Sequence, residues 1–194
     1  MTTGLVRPST GEVLHFSEDP SITLFVPHVA ATVRERQPYV WAVDFDQAPA
    51  YWFPRDCPRV LTWASTRTTP LDRERFLGTS SRVHAIEYRW LDRMLSTVLY
   101  AYPFDKSQFK PFGTPEPHAY VSTTPVRPLR PPTRVGPLLE AHAVAGIELR
   151  LLPNLWPYWN AVMRSTLGFS GIRLRNAWPE EVTIAALSGE ATAP

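Results

Sequence analysis

The chain has 194 residues, 44% apolar and 20% charged, a length and composition typical of one globular domain, so a fibrous or wholly disordered chain is excluded. A net charge of +2 is too small for a protein that coats nucleic acid, and a single cysteine excludes an internal disulfide and a cysteine-rich zinc site. No apolar run reaches the roughly 18 residues that a membrane span needs, and the start lacks the apolar core of a signal peptide. We therefore expect a cytoplasmic location.

One domain is expected over residues 1–194, with a folded body over about 13–187. Residues 1–11 and the end from about Ser188 are polar, and both are expected to fray. Five prolines lie in Pro125–Pro137. Because proline cannot donate to a sheet, this segment is predicted to be extended, at a sheet edge or in a loop, and to be the best candidate boundary between two halves.

Apolar periodicity in the first half predicts four strands and two helices. The first helix should begin after a capping Thr69, with Pro70 in its first turn, and end at Gly78. The second should cover Trp90–Tyr102, where apolar residues recur at helical spacing before Pro103. The predicted strands are Val13–Ser17, Tyr39–Val43, Val60–Trp63 and Arg82–Tyr88.

The second half repeats this mixture. Helices are predicted over Val135–Ala145, closed by Gly146, and over Leu155–Leu167, capped by Asn154. The predicted strands are Ala119–Ser122, Ile147–Leu151 and Ile172–Arg175. Because strands and helices interleave irregularly, the sequence predicts an α+β fold, with a mixed, largely antiparallel sheet and helices packed on it.

The first candidate site is a predicted strand that runs into an acidic turn, HFSEDP. His15, Ser17 and Asp19 alternate and should share one face, with Glu18 on the other. An imidazole beside a hydroxyl and a carboxylate is suited to binding a ribose or moving a proton. In the alternative, His15 is buried and bonded to backbone, while Ser17 or Asp19 caps the turn that Pro20 begins.

The second candidate site is YWFPRDCPR at residues 51–59, where two prolines favour a stiff turn. Tyr51, Trp52 and Phe53 offer a stacking wall, and Arg55 and Arg59 offer donors to a phosphate or carboxylate. Two arginines would also lower the pKa of the Cys57 thiol. In the alternative, Arg55 and Asp56 pair with each other or with neighbours, and the cysteine is a small buried side chain.

Glu87, on a predicted strand with His84 and Tyr88, is the candidate catalytic carboxylate if it points into a cleft. Strand alternation also allows it to point at solvent, which the pattern favours. The five histidines have no metal-binding spacing, so no metal site is predicted. Phosphate-binding glycine loops and the nucleophile elbow of hydrolases are also absent from the sequence.

The segments HFSEDPSI, YVWAVD, YWFPRDCPRV and FSGIRLRNA together resemble a family of uncharacterised bacterial proteins. This resemblance covers about Val13–Ala177. It implies a grouping but no activity, substrate or site.

A more distant resemblance has chemical content: LHFS, VWAVD and APAYWF are similar to the opening of ADP-ribosyltransferase-type folds. That resemblance implies NAD as a cofactor, with His15 holding the ribose on the nicotinamide side and Tyr51 stacking on nicotinamide. It also implies a late glutamate that polarises the ribose. Glu87 and Glu148 lie on predicted strands but lack the surrounding motif, so this position is unassigned.

Taken together, these features favour a protein that binds a nucleotide-like or other anionic small molecule, as an ADP-ribosyltransferase-like enzyme or a degenerate relative. The alternative is a non-enzymatic regulatory or protein-interaction domain. No membrane or nucleic-acid partner is expected, and the sequence leaves the oligomeric state open.

Overall fold

A computed structural model describes residues 6–29, 37–113 and 117–180. The chain divides into two compact units, each built from two stretches: unit 1 from Met1–Arg55 and Met94–Val144, and unit 2 from Asp56–Arg93 and Ala145–Pro194. The proline-rich segment Pro125–Pro137 lies inside unit 1 and is not a boundary between the units. Residues 1–5 and the end from Ser188, where fraying was expected, lie outside the described residues.

The described residues form an α+β fold of mostly antiparallel sheets, as the sequence predicts. Its helices are α1 (Pro70–Phe76), α2 (Leu91–Ser96), α3 (Leu138–Val144) and α4 (Trp156–Val162). Its strands are β1 (Glu12–Ser17), β2 (Val40–Ala42), β3 (Arg59–Trp63), β4 (Arg82–Glu87), β5 (Leu99–Asp105), β6 (Lys110–Phe112), β7 (Ala119–Ser122), β8 (Thr133–Val135), β9 (Glu148–Leu152) and β10 (Gly168–Ile172).

The described residues of unit 1 form two three-stranded antiparallel sheets, with strand orders β1-β5-β8 and β2-β7-β6. Strand β8 is an edge strand, in agreement with the edge position predicted for the proline-rich segment. A bridge between Leu14 and Val43 joins the two sheets. The sheets share one core, formed by the buried side chains Val13, Phe25, Val40, Ala42, Tyr102, Phe104, Phe109 and Val126.

In unit 2 the residues up to 180 that the structure describes form a four-stranded sheet, with strand order β10-β3-β4-β9, in which the β4–β9 pair is parallel and the other pairs are antiparallel. The helices α1 and α4 contribute Phe76 and Val162 to a core with Val83 of the sheet. Helix α1 follows its sequence signals: Thr69 Oγ1 accepts the N–H of Asp72 at 3.2 Å, and Gly78 takes the left-handed conformation after the helix at φ 56°.

The predicted helix over Trp90–Tyr102 is wrong in its second half: α2 ends at Ser96 and the chain continues as β5. A strand that is buried on both faces has the same continuous apolar run as a buried helix. Proline has no backbone N–H to donate, but Pro103 fits inside β5 because the residue opposite it on β1, Leu14, makes its backbone hydrogen bonds to Val43. The backbone of Pro103 therefore faces away from β1. On that side its carbonyl accepts the N–H of Leu129 at 2.8 Å.

The helix predicted over Leu155–Leu167 is shorter in the structure, where α4 ends at Val162. In a longer helix the N–H of Thr166 would donate to the Val162 carbonyl. Here that N–H donates to the Asp72 carboxylate at 2.7 Å, and Ser165 Oγ donates to the Val162 carbonyl at 2.7 Å. Side-chain hydrogen bonds therefore end the helix one turn early.

The last strand lies at Gly168–Ile172, before the predicted Ile172–Arg175. Two glycines obscure it in the sequence, because glycine has a low strand propensity. Both are required by packing: a Cβ on Gly168 would collide with the Trp63 indole, and one on Gly171 would crowd Trp159. Arg173 then takes a left-handed conformation, φ 57°, and ends the strand.

Candidate functional site

The imidazole of His15 lies where β1 and β2 separate. At the bridge, Leu14 and Val43 exchange two backbone hydrogen bonds of 2.8 Å each. The backbone pairing of β1 with β2 ends one residue further along β1. The next hydrogen bond between the two strands comes from the His15 side chain, whose Nδ1 lies 2.7 Å from the Trp41 carbonyl oxygen. Since a carbonyl only accepts, Nδ1 carries the proton and donates it. A side chain has therefore replaced a backbone hydrogen bond between the strands.

A cavity of about 50 Å³ lies at this separation of the strands. Its walls come from the facing stretches of the two strands and from Tyr51, the last residue of a short 3-10 helix at Ala48–Tyr51. The lining residues are Leu14, His15, Phe16, Trp41, Ala42, Val43 and Tyr51. Of the sequence-predicted site residues, His15 and Tyr51 are brought together here.

His15 is a neutral histidine at physiological pH. The pKa of its imidazole is lowered to about 4, mainly by burial and in part by the nearby positive charge of Arg55, against the opposing effect of the Trp41 hydrogen bond. Its ring also packs against Phe25, with 4.9 Å between the centroids. Because Nδ1 holds the only ring proton, Nε2 is left as a hydrogen-bond acceptor.

The turn after β1 is held by its own side chains. Ser17 is buried, and its Oγ accepts the N–H of Asp19 at 3.1 Å. The Asp19 carboxylate in turn accepts from the backbone and hydroxyl of Ser21, at 2.8 and 2.6 Å. Tyr102 donates its hydroxyl to the Asp19 carbonyl at 2.6 Å. These are the contacts of the structural alternative for Ser17 and Asp19, and neither residue lines the cavity.

Arg55 is exposed and lies at the end of the first stretch of unit 1. Its backbone N–H donates to the Glu18 carboxylate at 2.8 Å, which ties the second sequence motif to the turn of the first. Its guanidinium forms no ion pair with any residue in the described part of the chain. Arg55 therefore offers a free positive charge in the electrostatic environment of His15.

The stacking wall predicted at residues 51–53 is mostly interior. Trp52 is 0% exposed and Phe53 is 2% exposed. Their rings pack against the buried His142, at centroid distances of 6.0 and 4.8 Å respectively. Trp52 does not line the cavity, so of these three aromatic residues only Tyr51 reaches it.

Arg59 and Cys57 belong to unit 2 and are both buried. One guanidinium nitrogen of Arg59 donates to the Cys57 carbonyl at 3.0 Å. The prediction that arginines lower the pKa of this thiol is wrong: burial raises the Cys57 pKa to about 12 and outweighs the opposing charge of Arg59. Desolvation of the thiolate therefore decides the reactivity of this cysteine.

We expect Cys57 to resist alkylation in the folded protein at pH 7.5, because the thiolate is the reactive form and the thiol is fully enclosed. Iodoacetamide labelling followed by mass spectrometry should show modification only after urea is added. The same reaction in denaturant is the control. Complete labelling of the folded protein within minutes would contradict the burial of this thiol.

Glu87 also belongs to unit 2, at the end of β4, and it is 0% exposed, so the expected solvent orientation is wrong. Its carboxylate accepts from Arg89 Nε at 2.9 Å and from the backbone N–H groups of Trp178 and Leu155 at 2.9 and 3.4 Å. Three donors to one buried carboxylate form a structural anchor, because they hold the segment around Trp178 against the strand end.

Sequence reasoning missed Phe16 and Trp41 as cavity residues. Each lies two residues from a member of the bridged pair Leu14 and Val43, so strand alternation places both on the same face as that pair. This pairing requires knowledge of which strands are neighbours, and the two strands are separated by more than twenty residues in the chain.

Two kinds of feature are absent from the described residues, 6–29, 37–113 and 117–180. No three His, Cys, Asp or Glu side chains there are grouped so that they could hold a metal ion. None of the helices there has the length and apolar character needed to cross a membrane.

Comparison with known proteins places the chain in a group without assigned chemistry. Residues 14–177 match the model of a family of unknown function, DUF6886, and the chain belongs to that family. Neither a curated protein nor a solved structure matches the sequence.

Proposed function

For this member of the family, we propose that unit 1 binds a nucleotide-like or other anionic small molecule that carries hydroxyl groups, at the His15 cavity. The observation that carries the proposal is the geometry of His15: its imidazole is fixed through Nδ1 by the Trp41 carbonyl and lines a cavity. A ligand hydroxyl would donate to Nε2 of this ring, because Nε2 is an acceptor.

Arg55 supplies the charge for the anionic part of such a ligand. Its guanidinium is exposed and forms no ion pair with a described residue. A guanidinium binds phosphate or carboxylate through paired hydrogen bonds. The cavity, at about 50 Å³, takes one end of the ligand only, so the anionic end would lie outside it at the surface.

We propose two forms of this function and rank them by the support that the cavity residues give to each. Ligand binding comes first, because the cavity residues supply an acceptor and an aromatic wall. ADP-ribosyltransferase-like chemistry on NAD comes second, since it needs a carboxylate at the site and none of the cavity-lining residues has one. The catalytic role of Glu87 and the ligand role of Arg59 stay predictions, and assays of NAD turnover with Glu87→Gln and Arg59→Ala address them.

The test of binding is thermal denaturation with NAD, ADP-ribose and adenosine monophosphate. A ligand at a hundred times its dissociation constant should stabilise the protein by about 2.7 kcal/mol. The informative variant is His15→Asn, whose side-chain amide can still donate to the Trp41 carbonyl but has no atom at the position of Nε2. We expect His15→Asn to remove the ligand shift while the free protein remains folded.

Tyr88→Leu is the control, because Tyr88 is an exposed residue of unit 2 and does not line the cavity. Arg55→Ala gives a second, surface variant, for which we expect a loss of affinity of about tenfold from the lost charged hydrogen bonds. If none of the ligands shifts the unfolding of the native protein, binding is refuted and the protein-interaction alternative is favoured. Equal ligand shifts in the native protein and His15→Asn would also refute it.

A further inference from the structure

One face of the sheet β2-β7-β6 carries an aromatic cluster. Val40 and Ala42 point into the core of unit 1, so Trp41 between them lies on the opposite face. The register pairs Trp41 with Val121 and Val121 with Lys110, which places these three on that face. Phe112, two residues after Lys110, shares it.

The rings of this face contact one another edge to face. Trp41 lies 4.9 Å from Phe112 and 5.7 Å from Tyr39 between ring centroids, and Tyr39 lies 5.7 Å from Phe112. All three residues are partly exposed. The three rings, called the aromatic cluster below, are continuous with the His15 cavity because Trp41 belongs to both.

A positive charge accompanies the aromatic cluster. Lys110 is exposed, and the register puts it on the same face as Trp41 and Phe112. Partly exposed aromatic rings beside a positive charge are the combination on which a planar base attached to a phosphate stacks.

We propose that the aromatic cluster is the stacking surface for a purine-like ring of the ligand whose hydroxyl-bearing part enters the His15 cavity. The inference rests on the proposed function and deepens it, since it assigns the ring of a nucleotide to Tyr39, Trp41 and Phe112. It also replaces the stacking wall predicted at residues 51–53, where Trp52 and Phe53 are buried in the core.

The test compares a ligand that has a ring with one that lacks it. Calorimetric titration should give dissociation constants for adenosine monophosphate and for ribose 5-phosphate with the native protein, Tyr39→Leu and Phe112→Leu. Stacking of a base on an aromatic side chain contributes enough to predict at least a fivefold loss of affinity for adenosine monophosphate in each variant. The affinity for ribose 5-phosphate should not change, which also shows that the variants keep the cavity intact.

Tyr88→Leu is the matched control, because Tyr88 is an aromatic residue of unit 2 that is 58% exposed. Unchanged affinity for adenosine monophosphate in both cluster variants would overturn the stacking inference, and the proposed function would still stand if His15→Asn weakened both ligands. Equal losses for the two ligands would also overturn it, because the variants would then act on the cavity. If the native protein binds neither ligand, the proposed function and the stacking inference fall together.

Discussion

Replacing Glu87 with glutamine is expected to lower the free energy of unfolding by roughly 2–4 kcal/mol. The carboxylate is 0% exposed and accepts hydrogen bonds from Arg89, Trp178 and Leu155. Glutamine has one acceptor oxygen and one donor amide, so at least one N–H of the protein would face another N–H. Urea denaturation, followed by circular dichroism and tryptophan fluorescence, measures this loss.

Glu148→Gln is the matched control. Glu148 also pairs with an arginine two residues later, because Arg150 Nε lies 2.6 Å from its carboxylate, but its side chain is 38% exposed. Water screens such a pair, and its loss should reduce the free energy of unfolding by about 1 kcal/mol or less. If the two variants lose the same stability within about 0.5 kcal/mol, burial of the Glu87 carboxylate does not control its contribution.

Stability should fall between about pH 6.5 and pH 4 because of His15. In the unfolded chain the imidazole binds a proton below its usual pKa of 6.5, whereas in the native protein its pKa is about 4. The unfolded state therefore binds more protons in this range, and stability is complete above pH 6.5 and decreases as the pH falls toward 4. With allowance for the partial exposure of the residue, the loss is on the order of 2 kcal/mol.

The measurement is the free energy of unfolding against pH for the native protein and His15→Asn. Asparagine does not titrate, so the variant should have a flatter profile between pH 6.5 and 4, whatever its absolute stability. His118→Asn, at an exposed position, should keep the native profile. Identical slopes for the native protein and His15→Asn would contradict the lowered pKa of this imidazole.

These two experiments also bear on the proposed chemistry. If the three hydrogen-bond donors give Glu87 a structural role, Glu87 does not act as the catalytic glutamate that the resemblance to ADP-ribosyltransferase-type folds implies. A neutral His15 favours an acceptor role over proton donation, because an imidazole of pKa about 4 holds no second proton at neutral pH. Ligand binding therefore has more support from these residues than catalysis.

Local signals in the sequence were sufficient for several elements. Strand alternation predicted β1 and β4 close to their observed bounds, and a capping threonine with a following proline predicted α1. In each case the determining interactions lie within a few residues of one another along the chain. The α+β class followed from the irregular order of such elements, and the motif pattern indicated an uncharacterised family.

Only the tertiary structure decided which apolar runs became strands and which polar groups became buried. The second half of Trp90–Tyr102 has helical spacing, yet it forms β5 because β1 offers it a partner strand. The Cys57 pKa rises because desolvation outweighs charge, and Glu87 turns inward to three donors. The His15 cavity exists because β1 and β2 separate after a single bridge. All of these depend on contacts between residues distant in the chain, which local periodicity does not encode.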